Sequence, residues 1–226
     1  MFRLSKSIRD AKKDRNAIVA EIKVHSPKHG DLLRGRDPLE ILRAYERANV
    51  CGISYITERK HFKGSFDFLK ELCRETDLPV LRKDFVTEKD EIERSAEIGV
   101  SAILLIARIL KEKTPELVDF ARDHGLDTVV EVHNPEDLKY ALKSKTTIVG
   151  INNRDISKLE KDDGDVSLTE KLAPMIPNGF LKLSESGIRN LNDLKRALRF
   201  ADAVLIGTAF MMAEDVESFV RCFVYA

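Results

Sequence analysis

Thr128-Val129-Val130-Glu131-Val132-His133-Asn134-Pro135-Glu136-Asp137-Leu138-Lys139-Tyr140-Ala141-Leu142 changes its period partway along. Its first five residues are an apolar, β-branched run interrupted by a single carboxylate. From Pro135 the apolar positions recur at helical spacing. Asn134 sets a capping side chain ahead of a proline at the first helical position, where a missing N–H costs nothing. The stretch therefore reads as one strand feeding one helix.

Working outward, the same unit recurs along the chain. Strands are predicted at Ala17–Glu21, Gly52–Ile56, Pro79–Arg82, Ser101–Ile106, Thr128–Val132, Thr147–Ile151, Phe180–Leu183 and Ala203–Ile206. Amphipathic helices are predicted at Leu39–Ala48, Phe66–Glu75, Glu88–Ile98, Pro115–His124, Pro135–Leu142, Leu191–Arg199 and Val216–Phe223, with a short sixth helix around Leu168–Leu172. Asp37-Pro38 and Thr114-Pro115 repeat the capping pattern of Asn134-Pro135. Strand then helix, eight times, predicts an α/β fold: a closed parallel (β/α)8 barrel, or TIM barrel. No linker or composition shift divides residues 1–226, so one barrel domain is expected, preceded by a short basic helix in residues 1–16.

The chain has 226 residues, 43% of them hydrophobic, enough for the core of such a barrel. Lys+Arg and Asp+Glu are equal at 38 each, which predicts a surface laced with ion pairs and gives no reason to expect nucleic acid as a partner. Three scattered cysteines form no CxxC pair, and the five histidines show no metal-ligand spacing, so neither a disulfide framework nor a metal is expected. Residues 1–6 lack a secretory apolar core, and no apolar run nears the roughly 20 residues a membrane helix needs. A cytoplasmic protein with no membrane partner is expected.

Barrel active sites form at the C-terminal ends of the strands, so ionisable residues there carry the functional reading. Alternation along the first strand turns Glu21 and Lys23 to one side and Ala20 and Ile22 to the other. An internal ion pair that merely fills the barrel is the structural alternative. Lys83, in the run Leu81-Arg82-Lys83-Asp84-Phe85, is a candidate proton donor, expected to have its pKa lowered toward neutrality by other cations or by desolvation. Glu131 is the candidate general base. His133 shares its face and reads more readily as a hydrogen-bonded wall residue than as a ligand. Gly150-Ile151-Asn152-Asn153-Arg154-Asp155 offers an amide and a guanidinium to hold a carboxylate or hydroxyls. Ser184-Glu185-Ser186-Gly187 and Ile206-Gly207-Thr208 close the last two strands with small residues that let backbone amides approach an anion, pointing to a phosphorylated substrate.

IVAEIKVHSPKHG, HFKGSFDFL, PVLRKDF, ILLIARIL, VVEVH, GINNRD, SESGI and VLIGTAFM follow one another between Ile18 and Met211. This ordered set resembles the indole-3-glycerol-phosphate synthase family. The resemblance implies a decarboxylating ring closure and dehydration of 1-(2-carboxyphenylamino)-1-deoxyribulose 5-phosphate in tryptophan biosynthesis, with no cofactor. It implies Lys83 as acid on the ketose carbonyl, Glu131 as base for dehydration, and Lys23 orienting the substrate carboxylate or assisting a later proton transfer. Glu21, Asn152, Arg154 and Glu185 would hold the anthranilate and ribulose portions. Ser26, Ser186, Gly187, Gly207 and Thr208 would surround the phosphate, and Phe62, Phe85 and Ile106 would line the ring pocket. Other tryptophan-pathway enzymes are the macromolecular partners it brings into view.

The chain departs from the family pattern twice. Lys28 replaces the second serine of Ser-Pro-Ser after the first strand, putting a positive charge near the phosphate. The start is also shorter than in many relatives, so either a smaller lid or the loop carrying Lys28, Arg34 and Arg36 is expected to cover the site. The competing readings are a ketose-forming isomerase on another phosphate-binding barrel, and a barrel retained only as a binding subunit. The full complement of acid, base and phosphate-loop residues argues against the second.

Overall fold

The computed structural model describes residues 3–154 and 164–226. Eight parallel strands, β1 (Ile18–Ile22), β2 (Gly52–Ile56), β3 (Val80–Lys83), β4 (Ala102–Ile106), β5 (Asp127–Val132), β6 (Ile148–Asn152), β7 (Leu181–Glu185) and β8 (Ala203–Ile206), close on themselves in chain order, with β1 paired to both β2 and β8. The helices α1 (Arg3–Ala11), α2 (Pro38–Arg47), α3 (Phe66–Glu75), α4 (Lys89–Glu97), α5 (Ala107–Leu110), α6 (Thr114–Asp123), α7 (Pro135–Lys143), α8 (Ser167–Leu172), α9 (Leu191–Leu198), α10 (Thr208–Met211) and α11 (Val216–Val224) run between and around them. The architecture is the (β/α)8 barrel expected from the sequence.

Strand alternation divides the apolar residues into two cores. Ile18, Ala20, Ile22, Ile103, Leu105, Val130 and Val132 face outward and pack beneath the helices. Val19, Leu81, Leu104, Val129, Leu183 and Leu205 face the lumen. Leu4, Ile8 and Ala11 of α1 belong to the lumen group and are fully buried. Ser5 donates its backbone N–H to Asp127 Oδ2 at 2.7 Å, and Asp127 is the first residue of β5. Helix α1 therefore plugs the N-terminal mouth of the barrel. It is not a lid, and the opposite mouth stays open.

Asp37 and Asn134 cap their helices, accepting from the backbone N–H of Leu39 and Asp137. Thr114 does not. A 3₁₀ turn, Lys111–Lys113, runs straight into α6, so Thr114 already has helical φ −53° and ψ −50°, and its buried hydroxyl has no hydrogen-bond partner among the described residues. Pattern reading also passes over α5, α10 and a two-stranded antiparallel ribbon, His25–Ser26 with Gly30–Asp31, in the loop after β1. Each is too short to show a period. Arg36 clamps that loop by donating to the carbonyl oxygens of Leu32, Leu33, Met211 and Ala213, which ties it to the end of α10. Outside the barrel, Arg43 with Glu46 and Glu75, and Glu217 with Arg47 and Arg221, form the exposed ion-pair clusters expected from the charge balance.

Candidate active site

The open mouth leads into a cavity of about 390 Å³. Glu21, Lys23, Phe62, Lys83, Phe85, Ile106, Glu131, Asn152, Arg154, Ser186, Gly187, Gly207 and Thr208 all line it, which brings together most of the residues singled out from the sequence. Two do not line it. Glu185 is fully buried beneath the cavity floor, and Ser26 is buried with its Oγ accepting the Lys28 backbone N–H at 3.3 Å. Asp155 lies outside the described residues.

Lys83 projects from the end of β3 into the lumen and meets carboxylates from strands that are not its neighbours. Its Nζ lies 3.2 Å from Glu185 Oε2 and 3.5 Å from Glu131 Oε2. Lys23 Nζ lies 3.6 Å from Glu21 Oε1, so the same-side placement of that pair follows the strand alternation. Three buried glutamates thus share the floor with two lysines.

The expected lowering of the Lys83 pKa is contradicted. Burial does pull it down, but Glu185, Glu131 and Glu21 outweigh burial and raise it above the ordinary lysine value. In this state the residue is an ammonium held by carboxylates. Burial likewise pushes Glu131 up, yet Lys83, His133 and Asn152 together bring it down to about 2. Glu185 goes the other way, up to about 8: burial dominates, Lys83 only partly opposes it, and Glu131 and Glu21 add repulsion.

Two glycines make room for this cluster. A Cβ on Gly150, which pairs with Glu131 across the β5–β6 ladder, would run into Glu185 Oε1 and Val129 Cγ1. One on Gly207 would run into Glu21 Oε1. Gly207, expected only at the phosphate, thus also seats a floor carboxylate. Ser186 and Gly187 lie in the left-handed region at φ +65° and +77°, turning the chain sharply after β7.

Adjacent residues in the sequence part company here. Asn152 faces the cavity, whereas Asn153 donates to Ser184 Oγ and the carbonyls of Glu185 and Ser186 and accepts from Thr169, pinning β6 to β7 and α8. Arg82, next to Lys83, points outward to Thr57, Asp84, Glu91 and Ser95. Sequence patterns give no sign of Glu58: its carboxylate accepts from the backbone N–H groups of Lys60, His61 and Phe62 at 2.7–3.0 Å and so shapes the loop presenting Phe62. Lys28 and His29, at the tip of the loop after β1, and Arg189 line the rim, two of them cations, so that loop and not α1 flanks the opening.

A closed (β/α)8 barrel with a lysine–carboxylate floor and small-residue loops after β7 and β8 defines a barrel enzyme built for acid–base chemistry on a small phosphorylated substrate. Residues 2–223 match the family model for indole-3-glycerol phosphate synthase, and the chain belongs to that family, whose enzymes serve tryptophan biosynthesis. It is 68% identical to the indole-3-glycerol phosphate synthase of Pyrococcus furiosus over 100% of this chain and 98% of the relative. It is 66% identical to that of Thermococcus kodakarensis, over 98% and 96%. A solved structure from Aquifex aeolicus VF5 superimposes over 100% of both chains with a TM-score of 0.73 at 13% identity, a likeness of fold alone.

Proposed function

We propose that the protein converts 1-(2-carboxyphenylamino)-1-deoxyribulose 5-phosphate to indole-3-glycerol phosphate, and that the floor cluster performs the chemistry. The carrying observation is Lys83 Nζ, held between Glu185 and Glu131 at the base of an open cavity. Ring closure forms a bond from the carboxylate-bearing aromatic carbon to the ketose carbonyl carbon. Negative charge develops on the carbonyl oxygen, and the Lys83 ammonium donates a proton there. Carbon dioxide then leaves, restoring aromaticity. Loss of the new hydroxyl as water takes one proton onto the hydroxyl, delivered by Lys23, and one off the adjacent ring carbon, the task of Glu131, which meets the substrate as a carboxylate. Lys23 also orients the substrate carboxylate, Glu21, Asn152 and Arg154 hold the polar groups, and Glu185, behind the cavity wall, holds Lys83 in place. Phe62, Phe85 and Ile106 face the anthranilate ring, and Ser186, Gly187, Gly207 and Thr208 receive the phosphate.

The raised Lys83 pKa keeps the residue protonated and at the same time makes it a weaker acid. A donor that meets its substrate protonated is ready to act, and transfer becomes favourable only as the oxygen gains charge.

An assay for indole formation from the carboxyphenylamino-ribulose phosphate, with EDTA present, tests the reading. Turnover by the parent and a drop of roughly 10² to 10⁴ in Lys83→Ala and Glu131→Ala are expected. A parent that binds substrate tightly without turnover would be a binding subunit; one that neither binds nor turns it over would return the isomerase reading.

We place the protein in the cytoplasm. All three cysteines are free thiols, and among the described residues no helix is long and apolar enough to cross a membrane. Neighbouring pathway enzymes are candidate partners. A relative from Archaeoglobus fulgidus, the tryptophan biosynthesis protein TrpCD, is 52% identical and extends well beyond the match, which covers 38% of it.

A further inference from the structure

Behind Glu131 stand His133, Asp137 and Arg108, titratable groups that the proposed chemistry has not used. His133, two residues along and on the same face of the chain, places Nε2 3.2 Å from Glu131 Oε1 and Nδ1 3.6 Å from Asp137 Oδ2. Its side chain is 2% exposed and does not line the cavity. Asp137, in the first turn of α7, is fixed independently: its Oδ2 accepts the His133 backbone N–H at 2.9 Å, its own N–H is capped by Asn134, and Arg108 of α5 approaches to 3.5 Å. Around the imidazole, then, stand Glu131 from its own strand, Asp137 from α7 and Arg108 from α5, with Lys83 and Asn152 on the far side of Glu131.

A neutral imidazole carries one donor and one acceptor nitrogen, while an ionised carboxylate only accepts. Both ring nitrogens face carboxylates, so only one can be matched without a second proton. Asp137 already receives a backbone N–H. Among the described residues neither Glu131 Oε1 nor either ring nitrogen of His133 makes a hydrogen bond of full geometry, so the 3.2 Å approach of Nε2 to Oε1 is a loose contact, as catalytic contacts often are before substrate binds. A ring proton on Nε2 would face Glu131 and leave Nδ1 toward Asp137.

We propose that His133 is a positioning residue for the reaction: seated by Asp137, it donates Nε2–H to Glu131 Oε1, keeping that carboxylate ionised and its Oε2 turned toward Lys83 and the substrate. This rests on reading Glu131 as the base. The interaction with His133 is one of the causes that lower the Glu131 pKa, so removing it raises that pKa and takes the base out of its working form at a higher pH.

The test is the pH profile of turnover in His133→Leu, His133→Gln and Glu131→Gln beside the parent. His133→Leu should lose roughly ten- to a hundredfold in kcat with KM little changed, because the residue does not touch the cavity, and the acid limb of its profile should move upward. His133→Gln, whose amide N–H reaches about as far as Nε2, should recover most of both. Equal, small effects in the two variants, or equal losses with no shift of the acid limb, would overturn the proposal. Should the leucine variant fail to fold, the ring tautomer of the parent decides. ¹⁵N spectra assigned against His133→Gln should show the proton on Nε2, and an Nδ1–H tautomer at neutral pH counts against it. Full turnover in Glu131→Gln would instead sink the base assignment, whatever His133 does.

Discussion

Lys83 and Glu185 meet across the barrel lumen, Nζ to Oε2 at 3.2 Å, from strands β3 and β7 that share no ladder. The pair exists only because the barrel closes, and the burial of its carboxyl partner sets a pH dependence of stability against the pull of Lys83. Glu185 sits at about 8 in the folded chain against 4.5 for an ordinary glutamate, with burial as the chief cause. Between those values the folded chain keeps a proton that the unfolded chain has released, so stability falls as pH rises through that window. Glu185→Gln cannot release a proton. Guanidinium midpoints at pH 5 and pH 8.5 should therefore drop more in the parent than in this variant; parallel drops would mean that Glu185 is ionised throughout.

A second expectation concerns Gly150, whose missing Cβ leaves space for the Glu185 carboxylate and Val129. Gly150→Ala should displace Glu185 from Lys83, costing about 1–3 kcal/mol of stability as overpacking and lowering kcat while the barrel still folds. Thermal midpoint and turnover measured on one preparation check this. Unchanged values in both would mean the floor relaxes freely around the added methyl.

Much of this arrangement is legible in the order of the amino acids, and the limit is physical. Strand parity places Glu21 with Lys23 and Glu131 with His133, since alternation survives in any strand that stays regular. Parity also separates Asn152 from Asn153 and Lys83 from Arg82, one inward and one outward in each case. Motif reading alone does not divide them. What no local pattern carries is the sum over distant strands. Desolvation alone would make Lys83 less basic, and the sign reverses because β1, β5 and β7 each bring a carboxylate to it. The Glu58 cap and the ribbon after β1 escape for a different reason: loops have no period to detect.

Lys28 supplies a third expectation. It is an exposed residue on the cavity rim, at the tip of the loop that Arg36 anchors to the barrel. A cation there attracts the substrate phosphate through solvent, and an exposed ion pair of that kind contributes about 0.2–1 kcal/mol, so Lys28→Ser should raise KM by a factor of roughly 1.4 to 5. Turnover should change less. The KM difference should shrink near 1 M salt, where screening reaches about 3 Å. A change in kcat alone would instead assign Lys28 to product release.

Ile8 separates stability from catalysis. It is fully buried in α1 against the lumen core, at the mouth opposite the cavity. Ile8→Ala removes buried methyl and methylene groups from the lumen core that it shares with Val19 and Ala203, with little room for collapse inside a closed barrel. A loss of about 2–5 kcal/mol is expected from denaturant unfolding. Ring-closing activity at 25 °C should remain near the parent's, because the floor carboxylates hang from the far ends of the strands. If kcat fell in proportion to stability, the plug would be coupled to the floor through the lumen packing, and α1 would have to be counted among the elements that hold Lys83 in place.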